Sequence, residues 1–313
     1  MPGFINSHVH TAYNAYKLNR WVVEGVTTVR DLGVRPYSQS LFNFKKSNNG
    51  KELYARLVIV GPFFTCANGY PMIPFGGPPG YIVNSPEDAR NKTAAIINEG
   101  ADVIKIGLES GKTWDINIPV MSDQEVEAII NEAHKHNIPV SAHILSVNDL
   151  EHAVNLGVDE IAHMASDENI PDTLIQEIIK KNIYLVPTLE LWLGISENRS
   201  SLAINNLNKF VEAGGKVALG TDYMGYTIEW ELGMPKKEIL AMQDAGMSPM
   251  QIITASTKNA AHVCNLEDEI GTISEGKIAD IIVVEGNPLE DIKNIFQPSM
   301  VIHYGKIIVN KKY

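Results

Sequence analysis

Short apolar runs alternate along this chain with longer stretches whose apolar residues recur at helical spacing. The runs read as strands and the stretches as helices. Phe4 to Val9 is the first predicted strand, and a helix over Leu18 to Glu24 ends at Gly25. Strands follow over Thr27 to Leu32 and over Leu57 to Phe63, the latter leading into a Gly/Pro-rich loop that reaches Tyr81. Ser85-Pro86-Glu87-Asp88 combines a capping serine with a first-turn proline, so it opens a helix that Gly100 stops. A fourth strand spans Asp102 to Ile106. Ser122-Asp123-Gln124-Glu125 reads as a capping box before a helix over Val126 to His136. Pro139 to Ile144, Glu160 to Met164, Ile183 to Thr188 and Lys216 to Gly220 are strands five to eight. Helices over Val147 to Leu156 and Leu202 to Ala213 separate them, and Ser248-Pro249-Met250-Gln251 caps one more.

Eight strand-then-helix units predict an α/β fold, a (β/α)8 TIM barrel. A doubly wound open sheet is the alternative, but the chain has no dinucleotide fingerprint. The barrel is assigned to residues 1–262. In residues 263–313 the pattern changes: Gly271 to Val284 and Met300 to Val309 read as antiparallel strands with turns at Gly276-Lys277 and Gly305-Lys306. That tail is too small to stand alone and reads as an incomplete C-terminal β appendage.

The chain has 313 residues, 44% hydrophobic and 20% charged, enough to bury a full core. A net charge of −11 argues against nucleic acid or an anionic membrane as partner. No apolar run is long enough to span a bilayer. The opening lacks the charged-then-apolar pattern of a secretory signal, and Cys66 and Cys264 alone exclude a disulfide framework. A cytoplasmic protein with a small-molecule substrate is the expectation.

The chemistry sits where apolar runs end. The first closes in His8-Val9-His10, and residues i and i+2 of a strand point to one face. The fourth carries Lys105, the fifth ends in His143, the sixth in His163, and the eighth in Gly220-Thr221-Asp222. In a barrel of this kind strand C-termini carry function. Singly, each has a plainer reading: a hydrogen-bonded core histidine, a lysine reaching solvent, a turn aspartate. Together they favour a metal site. Neutral imidazoles and carboxylates suit zinc and similar divalent ions. A lysine ammonium has no lone pair, so Lys105 fits only if deprotonated and modified, most simply carboxylated by CO2 to a carbamate that can bridge two cations. Two metals would lower the pKa of a shared water and polarise a scissile carbonyl. Asp222 would act as general base, then as acid to the leaving amine.

These stretches resemble the amidohydrolase superfamily, in its imidazolonepropionase- and prolidase-like branch. The matching segments are Pro2 to His10, Gly25 to Asp31, Gly100 to Ile106, Gly220 to Asp222 and the tail Gly271 to Asp280, so the resemblance covers nearly the whole chain. It implies that His8, His10 and Asp222 hold one metal, that His143 and His163 hold the other, and that carboxylated Lys105 bridges them. It implies hydrolysis of an amide bond, with dipeptides or N-acyl amino acids first and cyclic amides such as an imidazolone second; ester, lactone or phosphotriester cleavage would use the same site. A single ion on His8, His10, His143 and Asp222 is the variant within the enzyme class. A non-catalytic reduced homologue that binds a metabolite or partner is the reading from another class; hydrolysis lost in Asp222→Asn separates the two.

The chain departs from the family pattern in two places. Asn6 stands where the pattern has Asp, which removes a charge near the metal. Relatives also carry a segment before the first strand that builds half of a small β-sandwich, whereas here Met1 directly precedes Pro2-Gly3. The tail is therefore expected to expose strand edges, which a second subunit in a homo-oligomer would cover. For substrate binding, Tyr70 replaces a histidine of the family loop and offers a hydroxyl, with aromatic packing as the alternative. Arg30 could hold a substrate carboxylate bidentately or pair within the fold. Glu190 and Tyr223 face the pocket if the barrel register is right.

Overall fold

A computed structural model describes residues 1–33, 38–76 and 80–311; residues 77–79 of the expected Gly/Pro-rich loop lie outside the described residues. Strands β1 (Phe4–Val9), β2 (Val26–Asp31) and β3 (Arg56–Ile59) form one parallel sheet in that order. A second parallel sheet contains β4 (Phe63–Thr65), β5 (Tyr81–Ile82), β6 (Ile104–Gly107), β7 (Val140–His143), β8 (Glu160–Ala162) and β9 (Tyr184–Val186). Its spatial order is β5-β4-β6-β7-β8-β9.

Two seams join the sheets into a ring. At one, Asp102 donates its backbone N–H to the Ile59 carbonyl and accepts the Ile59 N–H on Oδ2. At the other, residues 216–223 run between β9 and β1: Leu185 N–H reaches Lys216 O, Ser7 N–H reaches Leu219 O, and Asp222 N–H reaches His8 O. The fold is a (β/α)8 barrel whose strand ladder is interrupted at these seams. The eighth run, Lys216 to Gly220, is not a full strand; it pairs through the isolated bridge Leu185–Val217, with Val9–Tyr223 beyond it. The third run also splits. Pro62 has no N–H to give to a ladder, Gly61 takes a φ of +76°, and β4 turns off to pair with β6.

The barrel strands are buried on both faces, which is why they read as continuous apolar runs instead of alternating ones. Phe4, Leu57, Ile104, Val140, Ile161 and Leu219 share one buried cluster with Trp21, Ile129, Leu150 and Leu207 of the helices. Helix starts follow the sequence closely. Ser85 Oγ accepts the Asp88 N–H at the head of Pro86–Glu99. Ser122 and Glu125 exchange both bonds of a capping box at Asp123–Lys135, as do Ser248 and Gln251 at Pro249–Thr254.

The tail forms an antiparallel sheet of β10 (Ile281–Val283), β11 (Met300–His303) and β12 (Lys306–Asn310). Residues 271–280, expected to be strand, are turns and irregular chain. The expected bare edge of β10 is partly paired: Pro2 bridges Ile281, and Ile282 donates its N–H to Met1 O. Ile282 and Val301 join the same buried cluster as the barrel. His303 is fully buried, its Nδ1 on Asp280 and its Nε2 on the Tyr54 carbonyl.

Candidate metal centre

His8 is the next-to-last residue of β1 and fully buried, and His10 follows just past the strand's end. The segment carrying Asp222 crosses directly over them. Gly220 permits that approach: a Cβ there would lie 2.6 Å from His8 Cβ. Asn6 fastens the crossing, donating from Nδ2 to Thr221 Oγ1 at 3.0 Å and accepting the Thr221 N–H at 3.2 Å. An aspartate could not make the first of these as a donor, so Asn6 is tied to the neighbouring segment as an amide.

The outcome is a convergence of ligand atoms. His8 Nε2 and His10 Nε2 each lie 3.0 Å from Asp222 Oδ1, and the three ligand atoms lie within 4.8 Å of one another. His8 Nε2 and Asp222 Oδ1 are close without being aligned as a hydrogen bond, and both are buried with no other hydrogen-bond partner. Buried polar atoms are normally satisfied. Atoms that point at a common centre instead of at each other are what a cation-binding site leaves. Lys105 Nζ, on β6, and His143 Nε2, at the end of β7, are buried and unpartnered in the same way.

The four imidazoles form one group. Ring centroids are 5.4 Å apart for His8 and His10, 4.7 Å for His8 and His163, and 4.6 Å for His143 and His163. Two rings have their outer nitrogen held. His10 Nδ1 lies 2.9 Å from the Gly33 carbonyl, so it carries the proton and Nε2 keeps its lone pair. His163 Nδ1 lies 2.9 Å from Thr188 Oγ1. Three corners of the site sit in the left-handed region without being glycine: His163 at φ +85°, Thr188 at +50° and Asp222 at +64°.

The electrostatics favour neutral rings at His8, His143 and His163. Burial, with the nearby Lys105 charge adding to it, holds His8 and His143 well below the ordinary histidine value; burial and His143 do the same for His163. For His10, burial works against the charge, but the Asp222 carboxylate outweighs it with Asp31 and the Gly33 carbonyl, and the pKa rises. Burial brings Lys105 down to about 7, against the opposing pull of Glu160. A fraction of its amine is therefore unprotonated near neutrality, the form that can react with CO2.

The other named residues are placed differently. Arg30 is fully buried and spends its guanidinium inside the barrel: Nε donates to the Ser7 carbonyl, Nη1 to the Val263 carbonyl and Nη2 to Glu160 at 2.7 Å. That is the in-fold pairing, with Glu160 as the carboxylate. Glu190 is buried too, accepting the Glu231 N–H and donating its own N–H to Glu238. Tyr223 packs edge-on against Trp21 at 5.3 Å with Lys17 Nζ over its ring at 5.1 Å. Tyr70 lies on the His143 ring, centroids 4.0 Å apart. Sequence reasoning passed over Thr188, although it follows the seventh apolar run as His163 follows the sixth. It also passed over Glu238, which nothing local marks. A cavity of about 350 Å³ lined by Asp159, Lys181, Tyr184 and His262 opens at the N-terminal ends of β7 to β9 and touches none of the ligand cluster.

The sequence profile of the amidohydrolase family matches residues 1–308. The chain is similar to an ochratoxinase from Aspergillus niger, 30% identical over 253 residues, or 74% of this chain and 51% of that protein. It spans about half the length of that relative. An imidazolonepropionase from a Geobacillus species is 36% identical over 100 residues, 32% of this chain and 22% of its own. Among solved structures, a Xaa-Pro dipeptidase with bound methionine superposes with a TM-score of 0.81 at 25% identity, covering 99% of this chain and 86% of that one. The A. niger ochratoxinase structure superposes at 0.80 with 23% identity, covering 99% and 83%, a likeness of fold. A family match running from the first strand to the tail sheet, over a barrel whose strand ends gather the histidines, establishes that this chain belongs to the amidohydrolase family.

Proposed function

We propose that the protein is a metal-dependent hydrolase that cleaves an amide bond of a small substrate, a dipeptide or N-acyl amino acid. The observation that supports it most is the convergence of His8 Nε2, His10 Nε2 and Asp222 Oδ1, buried and within 4.8 Å of one another. In this reading His8, His10 and Asp222 hold one divalent ion, zinc by donor type. His143 and His163 would hold a second, and Lys105, carboxylated on Nζ, would serve as a ligand to both. The donor set fits: His8, His143 and His163 are held neutral by burial, the Asp222 carboxylate faces His10, and the Lys105 amine is buried, unpartnered and lowered to about 7. When bound, the ions supply an activated water near neutral pH and polarise the scissile carbonyl.

The chain's own residues do the rest. Asp222 takes the proton of the attacking water on its carboxylate and returns it to the leaving nitrogen. Asn6 and Thr221 hold the segment that aims it. The Gly33 carbonyl and Thr188 Oγ1 hold the Nδ1 atoms of His10 and His163, which leaves each Nε2 free to serve as a ligand.

A single ion with Lys105 unmodified is the second reading; of the expected His8, His10, His143 and Asp222, it keeps His8, His10 and Asp222, since His143 is not in the group that meets the spacing. It is favoured by the fact that these three alone meet the spacing for one ion among the described residues. Metal content per chain, measured by elemental analysis on the parent and on Lys105→Ala, decides. Two ions falling in the variant support the bridged pair. One ion, unchanged, supports the single-ion form. No metal after reconstitution with zinc, manganese and bicarbonate overturns the hydrolase reading.

A further inference from the structure

We infer that the loops after β4 and β6 build a recognition wall for an aromatic or flat apolar group of the substrate, set directly against the His143 imidazole. What that group is attached to rests on the amide-hydrolase reading above; the contact itself does not. Tyr70, from the loop after β4, lays its ring on His143 with centroids 4.0 Å apart and planes 15° apart. Trp114, from the loop after β6, lies parallel to Tyr70 at 6.2 Å and 8°. Phe75 stands at right angles to both, 6.0 Å from Tyr70 and 5.8 Å from Trp114. Phe63 closes the inner side, 5.9 Å from Tyr70 and 6.2 Å from His143. Gly107 makes room for it, since a Cβ there would sit 2.5 Å from the Phe63 ring.

These are the offset and edge-on contacts that aromatic rings prefer. The wall runs outward from the candidate metal centre to solvent. Phe75 is 63% exposed, and the same two loops expose Ile73 and Ile116. Single exposed apolar residues are ordinary. A graded series of rings that starts on a buried metal-ligand candidate and ends in water is not, and apolar surface of this kind marks a binding site. The chemistry offered is face and edge contact to a ring, with the reacting bond carried toward His143 and its neighbours.

The test separates ring recognition from turnover. Binding of 3-phenylpropionate and of propionate, which share a carboxylate and have no amide to cleave, is measured by calorimetry on the metal-loaded protein. Burying a phenyl side chain corresponds to about ten- to hundredfold in affinity, and 3-phenylpropionate is expected to bind tighter by that ratio. Phe75→Ala and Trp114→Ala should each cut the ratio severalfold, and Trp114→Phe should keep most of it. Phe75 is exposed enough for its variant to fold normally. A ratio near one, no binding of 3-phenylpropionate, or a ratio that survives both alanine variants overturns the inference. N-acyl amino acid hydrolysis is assayed in parallel. Lack of turnover with the ring preference intact overturns the hydrolase reading alone; turnover without ring preference overturns the wall alone.

Discussion

Replacing Glu160 by Gln removes the counter-charge of Arg30 and keeps the side chain's shape. Both residues are buried, and the guanidinium has no route to solvent. Its Nη2 lies 2.7 Å from the carboxylate, and Ser141 also donates to Glu160 Oε1 at 2.9 Å. Removing one partner of such a pair costs about 3–5 kcal/mol, because the remaining charge stays buried and uncompensated. Domains hold about 5–15 kcal/mol in all, so the variant would lose roughly a fifth or more. At about 2 °C per kcal/mol for a chain of this size, the melting temperature should fall by about 6–10 °C. Circular dichroism during heating reads this directly. The double variant Arg30→Met with Glu160→Met removes both charges and should recover much of the loss, since apolar replacements of buried pairs are often neutral or better. KM for a carboxylate substrate should not change in any variant that stays folded. A shift below about 2 °C for Glu160→Gln, together with a raised KM, would refute the reasoning and return Arg30 to the substrate site.

Other expectations follow from the same geometry. Asp222→Asn keeps the shape but not the proton carrier, and kcat should drop by about 10²–10⁴-fold in a steady-state assay; a drop below tenfold would remove Asp222 from proton transfer. Thr188→Val deletes the partner of His163 Nδ1, so zinc affinity measured by competition with a chelator should weaken by about 10–100-fold, whereas Thr188→Ser should hold it. Glu238 is pushed up to about 8, mainly by burial. Between its ordinary value and that one the folded state keeps a proton that the unfolded state has lost, so this group's contribution to stability falls as pH rises from about 4.5 to about 8. Urea titrations at pH 5 and pH 8 should show a larger decline for the parent than for Glu238→Gln; equal declines would sink the assignment.

The strands and the candidate ligands could be read from sequence for one reason: a barrel strand buried on both faces is apolar until its end, so a histidine or aspartate at the end stands out. His8, His143 and Asp222 were visible this way. The eighth strand was over-read, because the apolar run Val217 to Leu219 is buried without forming a ladder. Residues 271–280 were over-read as strand because the chain turns at Glu275 and Gly276 and then runs irregularly to Asp280, where His303 and Arg56 converge from far along the chain. Long-range partners were not legible at all. Nothing near Arg30 names Glu160, and nothing near Tyr70 names Trp114, since each pair is made by loops or strands that only the closed ring brings together.

The three left-handed corners of the site set chemistry and stability against each other. A non-glycine residue held at positive φ costs about 1–3 kcal/mol, and His163, Thr188 and Asp222 each accept that conformation. Sequences filtered for thermal robustness alone would drift toward glycine at 163, 188 and 222, gaining backbone comfort and erasing the donors together. A stabilised lineage of this barrel would thus be recognisable by glycines at those three positions, and selection for turnover is what would keep them out.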